Sequence, residues 1–240
     1  MGNKGKVTAP KNWPDSIQYL SSPIYSPRLT KAQLAAIRAS PADAPAGARV
    51  AAEIPPDLKP GPSANVRITA IADPRHPACG QSGLFVTRDL RPGELVVVYM
   101  GEVHPGYAAT AAVGRPVDNP HARSDYDLWL DRGADVAVDA AKAGSEARFI
   151  NDYRGVPDQQ RPNAEFREAW DGRRGEKVMA VFVLPAGKKA VGKARLVGIA
   201  KGQEILVSYG RGFWQRRAAE EDQAEDGQAG EGMLSPECVT

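Results

Sequence analysis

With 240 residues and 42% apolar composition, the chain has material for one substantial core plus tails, not for two full domains. No stretch reaches the roughly 20 apolar residues that span a bilayer. Met1 to Lys11 is polar with no apolar run behind it, so a soluble intracellular protein is expected. The net charge of +2 conceals an asymmetry: residues 218–240 hold seven acidic side chains and no Lys or Arg, which leaves 31 basic against 22 acidic, a net +9, for residues 1–217. Such a body favours nucleic acid or another anionic surface, unless it is only a solvated basic face.

Residues 1–64 form a Pro- and Ala-rich arm in which Pro10, Pro14, Pro23, Pro27, Pro41, Pro45, Pro55, Pro56, Pro60 and Pro62 interrupt long elements. One helix is expected there, Thr30 to Ser40, with Thr30 and Gln33 at capping-box spacing, Leu34 and Ile37 one turn apart, and Pro41 as the stop. Trp13, Tyr19 and Tyr25 are too many large apolar groups for a linker, so part of the arm should dock on the body. From residue 65, short β-branched runs alternate with turn residues: Val66 to Ile71, Gly83 to Thr87, Leu95 to Met100, Asp125 to Asp131, Val136 to Val138, Val178 to Leu184, Leu196 to Ala200 and Glu204 to Tyr209. Many short strands with few helices predict a mainly β domain over 65–217 rather than βαβ units. Gly210 to Arg217 reads as a closing helix, and 218–240 as an acidic, disordered tail.

Cys79 and Cys238 lie far apart and exclude a disulfide framework. His76 and Cys79 have ligand-like spacing, but a structural zinc takes four ligands, and His104, His121 and Cys238 show no second pair. No metal is expected.

The motifs gain meaning in order. Gln81-Ser82-Gly83-Leu84-Phe85, then Tyr99-Met100-Gly101-Glu102, Asp139-Ala140, Arg148-Phe149-Ile150-Asn151, Pro162-Asn163, and finally Lys201-Gly202-Gln203-Glu204 running into Leu206-Val207-Ser208-Tyr209-Gly210 together resemble the SET-domain protein-lysine methyltransferases over roughly residues 65–214. That resemblance implies a β-clip of small sheets with short helices, and a pseudoknot near the C-terminus, in a member without cysteine-rich zinc modules. It implies S-adenosyl-L-methionine as cofactor and a protein lysine, in a histone, a nucleosome or another basic protein, as substrate. A nuclear location is implied more than a cytoplasmic one.

Residue by residue, the resemblance assigns Ser82, Gly83 and Leu84 to the loop whose backbone approaches the methionine part of the cofactor, where Gly permits close contact. Asn151 and the backbone of Asp152 would hold the cofactor. The family normally has His after the Asn, so Asp152 offers no ring to the adenine side, and the link to Pro162-Asn163 is lengthened. Arg148 joins this set, or else braces the pseudoknot as a paired buried charge. Tyr209 corresponds to the catalytic tyrosine beside the cofactor, Tyr99 and Tyr126 to channel tyrosines, and Phe213 and Trp214 to an aromatic pair covering the adenine or the lysine channel. Tyr126 and Trp129 should face opposite sides of a strand, one of them in the core. Val207 stands where a larger residue limits the number of methyl groups. Two rivals remain: a SET-like scaffold that binds a peptide or chromatin without turnover, and a nucleic-acid-binding protein using the +9 body.

Overall fold

In the computed structural model, which describes residues 8–43, 52–107, 119–187, 191–192 and 197–217, the apolar runs become strands of several small sheets. Two four-stranded sheets carry most of the pairing. In one, β3 (Ala52–Glu53), β12 (Ala164–Asp171), β13 (Glu176–Val183) and β6 (Leu95–Tyr99) lie in that order. In the other the order is β2 (Ile24–Tyr25), β7 (Glu102–Pro105), β9 (Val136–Asp139) and β8 (Asp127–Asp131). Three two-stranded pairs complete the described strands: β4 (Val66–Ala70) with β5 (Ser82–Val86), β1 (Gln18–Tyr19) with β10 (Ala143–Gly144), and β11 (Asn151–Asp152) with β14 (Leu206–Val207). The fold is mainly β with short helices, as the spacing of the runs predicts. The chain divides into two compact units, the first ending at Val207 and the second starting at Ser208.

The core gathers where β6 and β13 pair. Val98, Val178, Ala180 and Phe182 pack there with Ile54 and Ala169. Both strands read as nearly unbroken apolar runs because both of their faces are covered. Strand β12 escapes the sequence reading for the opposite reason: Glu165, Arg167 and Glu168 dilute its apolar residues, and its pairing with all eight residues of β13 makes it a strand. The hairpin between them closes on buried Asp171, whose carboxylate accepts from the backbone N–H of Arg173 and the guanidinium groups of Arg173 and Arg174. Gly175 supplies the left-handed residue, at φ 65°.

The N-terminal arm is stitched onto the first unit. Ile24 and Tyr25 pair with Glu102 and Val103, and Gln18 and Tyr19 with Ala143 and Gly144. Trp13 meets Tyr19 and Phe149 edge-on, at centroid distances of 5.0 and 5.5 Å. Tyr25 donates to Glu176. The expected helix is α1 (Lys31–Ile37), one turn shorter than the sequence interval, and Thr30 and Gln33 form the reciprocal capping box. Gln33 also donates to the Asp135 carbonyl at 2.8 Å, so its side chain ties the helix to the sheet. Thr30→Ala is expected to cost about 1 kcal/mol in urea denaturation, the usual value of an N-cap. An unchanged midpoint would mean that the Gln33 link alone holds the helix.

Not every interval became a strand. Of the expected strand Leu196 to Ala200, Leu196 lies outside the described residues, and among 197–200 Ile199 forms only an isolated bridge to Leu90. Tyr126 and Trp129 are both half-buried, and Leu130 is the core residue of β8. The tail 218–240 and Cys238 lie outside the described residues.

A pair of histidines sits in the β2-β7-β9-β8 sheet region. The fully buried His104 ring stacks on His121, centroids 3.6 Å apart and 10° from parallel. Both nitrogens of His104 face acceptors, Nδ1 the Pro105 carbonyl at 2.8 Å and Nε2 the Asp127 carboxylate at 3.1 Å, while His121 Nδ1 meets Asp139 at 2.7 Å. Burial opposes protonation of His104, but the hydrogen bond and charge of Asp127 outweigh it and raise its pKa. A raised folded-state pKa means that the contribution is complete below the unfolded value of about 6.5 and is lost as pH rises through the folded one. Thermal stability should therefore decline as pH rises from about 6 to about 8, and Asp127→Asn should flatten that decline. A melting temperature with the same pH profile in the variant would show that another group sets it.

Candidate functional site

The segment 203–207 is held on several sides by parts of the chain that are remote in sequence. Toward the β4–β5 hairpin, Val86 N–H donates to the Gln203 carbonyl, Ile205 N–H donates to the Leu84 carbonyl, and Glu204 bridges to Phe85. Elsewhere, β14 runs parallel to β11, with Asn151 opposite Leu206 and Asp152 opposite Val207. The Asn163 side chain closes a further side, donating to the Glu204 carbonyl at 2.7 Å and accepting from Leu206 N–H at 2.8 Å. Asn163 N–H donates to the Leu206 carbonyl as well. The late segment thus lies between Asn151–Asp152 and Asn163, two points separated by the lengthened link. Ile205, Leu206 and Val207 are buried at the level of 0–1% exposure, so this insertion is also a packed part of the core.

The insertion brings Ser82, Gly83 and Asn151 together around one carboxylate. Asn151 Nδ2 donates to Glu204 Oε1 at 2.9 Å and approaches the Ser82 carbonyl at 3.4 Å. Both neighbours are acceptors, which fixes the orientation of the amide and turns Oδ1 away from them. Glu204 Oε2 lies 3.1 Å from His76 Nε2. Since His76 Nδ1 accepts from Ala78 N–H at 3.0 Å, the ring hydrogen is on Nε2 and is donated to Glu204. Gly83 is required by this packing: an added Cβ would stand 2.5 Å from Glu204 Oε1 and 3.1 Å from Ile71 Cδ1. Leu84 is fully buried on the same strand.

His76 and Glu204 are the site residues that the sequence reading missed. His76 entered only through its spacing to Cys79, which is exposed and free, and Glu204 only as part of a turn. No local pattern could link them, because they meet across 128 residues. The one available signal was a carboxylate at the head of the apolar run Ile205 to Val207. Among the described residues, no group of three or more His, Cys, Asp or Glu could hold a metal ion.

Asp152 is buried and turned into its own loop, where its carboxylate accepts from the Arg154 backbone at 2.8 Å and from its guanidinium at 2.8 and 3.1 Å. Arg148 is not the paired buried charge of the bracing alternative. Its guanidinium lies 4.3 Å from the centre of the Tyr126 ring and 5.1 Å from that of Phe149, and its Nε donates to the Ala140 carbonyl at 3.1 Å. Among the described residues no carboxylate forms an ion pair with it. Cation–π contacts take the place of the expected salt bridge. Tyr99 is buried, edge-on to Phe166 at 5.6 Å, and donates to the Tyr126 carbonyl at 2.7 Å, so the two tyrosines are joined directly.

In the second unit, Tyr209 meets Phe213 edge-on at 4.8 Å, and Phe213 meets Trp214 at 5.3 Å. Residues 211–217 are helical, which puts Phe213 and Trp214 near the helix start with Arg216 and Arg217 over the Phe213 ring. Val207, the residue assigned to methyl-number control, is fully buried opposite Asp152.

A separate cavity of about 280 Å³ lies between the arm and β6, lined by residues that include Leu20, Leu58, Val97, Met100, Glu146 and Arg174. None of the sequence-predicted site residues lines it. Burial raises the pKa of Glu146 there, and its carboxylate is already engaged by Ser63 N–H at 2.7 Å and the Tyr19 hydroxyl at 3.3 Å. The Glu204 cluster is the better candidate, because it gathers several remote motifs.

Neither a protein-family model nor a curated protein matches the chain. Among solved structures, it is similar to the Chaetomium thermophilum polycomb repressive complex 2, at 23% identity over 60% of this chain and 15% of that one, with a TM-score of 0.40. It is similar also to that complex in an autoinhibited conformation bound to S-adenosylmethionine, at 23% identity over 66% of this chain and 17% of that one, again with a TM-score of 0.40. The chain therefore spans less than a fifth of the length of these neighbours, and a likeness of that size says nothing about activity or partners. Among the described residues no helix is long and apolar enough to cross a membrane.

Proposed function

We propose that the chain is an S-adenosylmethionine-dependent protein-lysine N-methyltransferase of the SET-domain type. The observation that supports it best is the insertion of segment 203–207 between Asn151–Asp152 and Asn163, which draws the Ser82–Gly83 loop, Asn151 and Glu204 into one neighbourhood of the chain. These are the motifs on which the sequence resemblance rests, and they converge by backbone hydrogen bonds and not by sequence proximity.

The residues present fit the amino-acid end of the cofactor. Beside Gly83 stands the largely covered carboxylate of Glu204, its side chain 10% exposed, and Asn151 keeps a carbonyl oxygen directed away from its own protein acceptors. The fit is poorer for the adenine, since Asp152 has no ring and spends its carboxylate on Arg154. When bound, S-adenosylmethionine supplies the methyl group and a sulfur leaving group. The protein's part is to align a neutral lysine amine and keep water from it. In this reading Ser82, Gly83, Leu84, Asn151 and the Asp152 backbone hold the cofactor, with Arg148 keeping the Tyr126 ring in place. Tyr99 and Tyr126 line the lysine path, while the roles of Phe213 and Trp214 as a covering aromatic pair and of the Tyr209 hydroxyl in orienting the amine are carried by the sequence resemblance alone. The assignment of Tyr209 rests on its sequence motif. The substrate is a lysine of a histone or another basic protein, and the nucleus is the proposed location.

The test is twofold. Calorimetry should detect S-adenosylmethionine binding, and a radiolabelled-methyl assay against histones, nucleosomes and cell extract should label a protein lysine. Binding without transfer to any of these would favour the scaffold reading, and the absence of both would remove the proposal.

A further inference from the structure

Glu204 presents an unbalanced charge. Its side chain is 10% exposed, and its carboxylate accepts from His76 and Asn151. The His76 ring, with Nδ1 accepting from Ala78, is in its Nε2–H form and brings a dipole, not a full positive charge. Among the described residues no Lys or Arg forms an ion pair with Glu204. Of the buried acids of this chain, Asp152 pairs with Arg154 and Asp171 with Arg173 and Arg174, whereas Glu146 is held by Ser63 N–H and the Tyr19 hydroxyl and Glu176 by the Tyr25 hydroxyl. A carboxylate withdrawn from water without a cation is costly, and neutral donors recover only part of that cost. What sets Glu204 apart from Glu146 and Glu176 is its place beside Gly83 and the Ser82 carbonyl, in the loop assigned to the cofactor.

Glu204 Oε1 lies against the missing side chain of Gly83 and shares the Asn151 amide with the Ser82 carbonyl, so a carboxylate oxygen and a backbone carbonyl lie side by side. A carboxylate beside a backbone carbonyl, each with a lone pair beyond the one that meets the Asn151 amide, suits an ammonium group, which offers three N–H bonds and a charge.

We infer that Glu204, held in place by His76, is the counter-charge for the α-ammonium group at the amino-acid end of the cofactor. This rests on the proposed methyltransferase reading and adds to it a charge-selecting residue outside the assigned set. His76 acts through Glu204 and is a positioning residue.

The experiment is a ligand ladder measured by calorimetry on the full chain. S-adenosylmethionine carries both an ammonium and a sulfonium, S-adenosylhomocysteine keeps the ammonium alone, and 5′-deoxy-5′-methylthioadenosine has neither. Glu204→Gln preserves shape and removes charge, and a thermal melt checks that the variant is folded. It should weaken S-adenosylmethionine and S-adenosylhomocysteine by about 10- to 100-fold, the usual effect of losing a hydrogen bond to a charged group, and leave methylthioadenosine unchanged. An equal loss for all three ligands would mean a structural role, and a loss for S-adenosylmethionine alone would move the counter-charge to the sulfonium; either overturns the assignment. If the variant does not fold, the wild-type ladder decides: methylthioadenosine binding as tightly as S-adenosylhomocysteine overturns it, and a ratio of about 10 or more in favour of S-adenosylhomocysteine supports it. Wild-type binding with an unaffected Glu204→Gln would sink this inference and leave the methyltransferase reading standing, whereas no binding of any ligand by the wild type would overturn both.

Discussion

Tyr209→Phe is expected to lower turnover by about 10²-fold or more while leaving cofactor affinity and fold nearly unchanged, because it removes a single preorganised polar contact to the reacting amine. The ring itself would stay, and with it the edge contact to Phe213 at 4.8 Å. Asn151→Ala should give the opposite profile. Its amide bonds Glu204 and Ser82, and its proposed contact to the cofactor exists before the reaction starts, so the loss should appear first as weaker S-adenosylmethionine binding. The comparison of the two variants, by calorimetry and by initial rates on a confirmed substrate, is more informative than either alone. Full activity in Tyr209→Phe would falsify the assignment of Tyr209 and, with it, the carry-over of the catalytic role.

The largest stability effect is expected at Gly101→Ala. A Cβ there would lie 2.7 Å from the Asp139 carbonyl carbon and 3.1 Å from Ala140 N, and both of these are backbone atoms that cannot swing aside. Asp139 is moreover the acceptor for His121 at 2.7 Å, Ser124 at 2.7 Å and Ala141 N–H at 2.8 Å, so shifting its backbone disturbs the turn that leads to Tyr126. Overpacking commonly costs 1–3 kcal/mol, and immovable neighbours place this site at about 3 kcal/mol or above. Chemical denaturation gives the number. A loss below about 1 kcal/mol would mean that the β7–β9 pair opens more easily than its register implies.

Local preference was sufficient for much of the architecture. Thr30 and Gln33 announced a helix start because the capping box is made by residues three apart, and the structure has both of its hydrogen bonds. The apolar, β-branched runs at 66–71, 95–100 and 178–184 declared the strands found as β4, β6 and β13, because side-chain periodicity and backbone preference are properties of neighbours in sequence. The ordered motifs were legible for the same reason, each being a short string with its own turn or strand geometry.

Tertiary structure decided whatever depended on partners far along the chain. Two-residue strands such as β1 and β11 have no periodicity of their own; they exist because Ala143–Gly144 and Leu206–Val207 come alongside. Charged β12 became a strand through its pairing with β13. Arg148 had the composition of a salt-bridge residue but found the rings of Tyr126 and Phe149, and Asp152 found Arg154. The Glu204 cluster is the clearest instance: His76, Gly83, Asn151 and Glu204 become a site only when segment 203–207 is inserted between Asn151–Asp152 and Asn163. Sequence determines which dihedral angles and faces each segment prefers, but a buried charge acquires its meaning from what surrounds it in space, and that is settled by chain closure across more than a hundred residues.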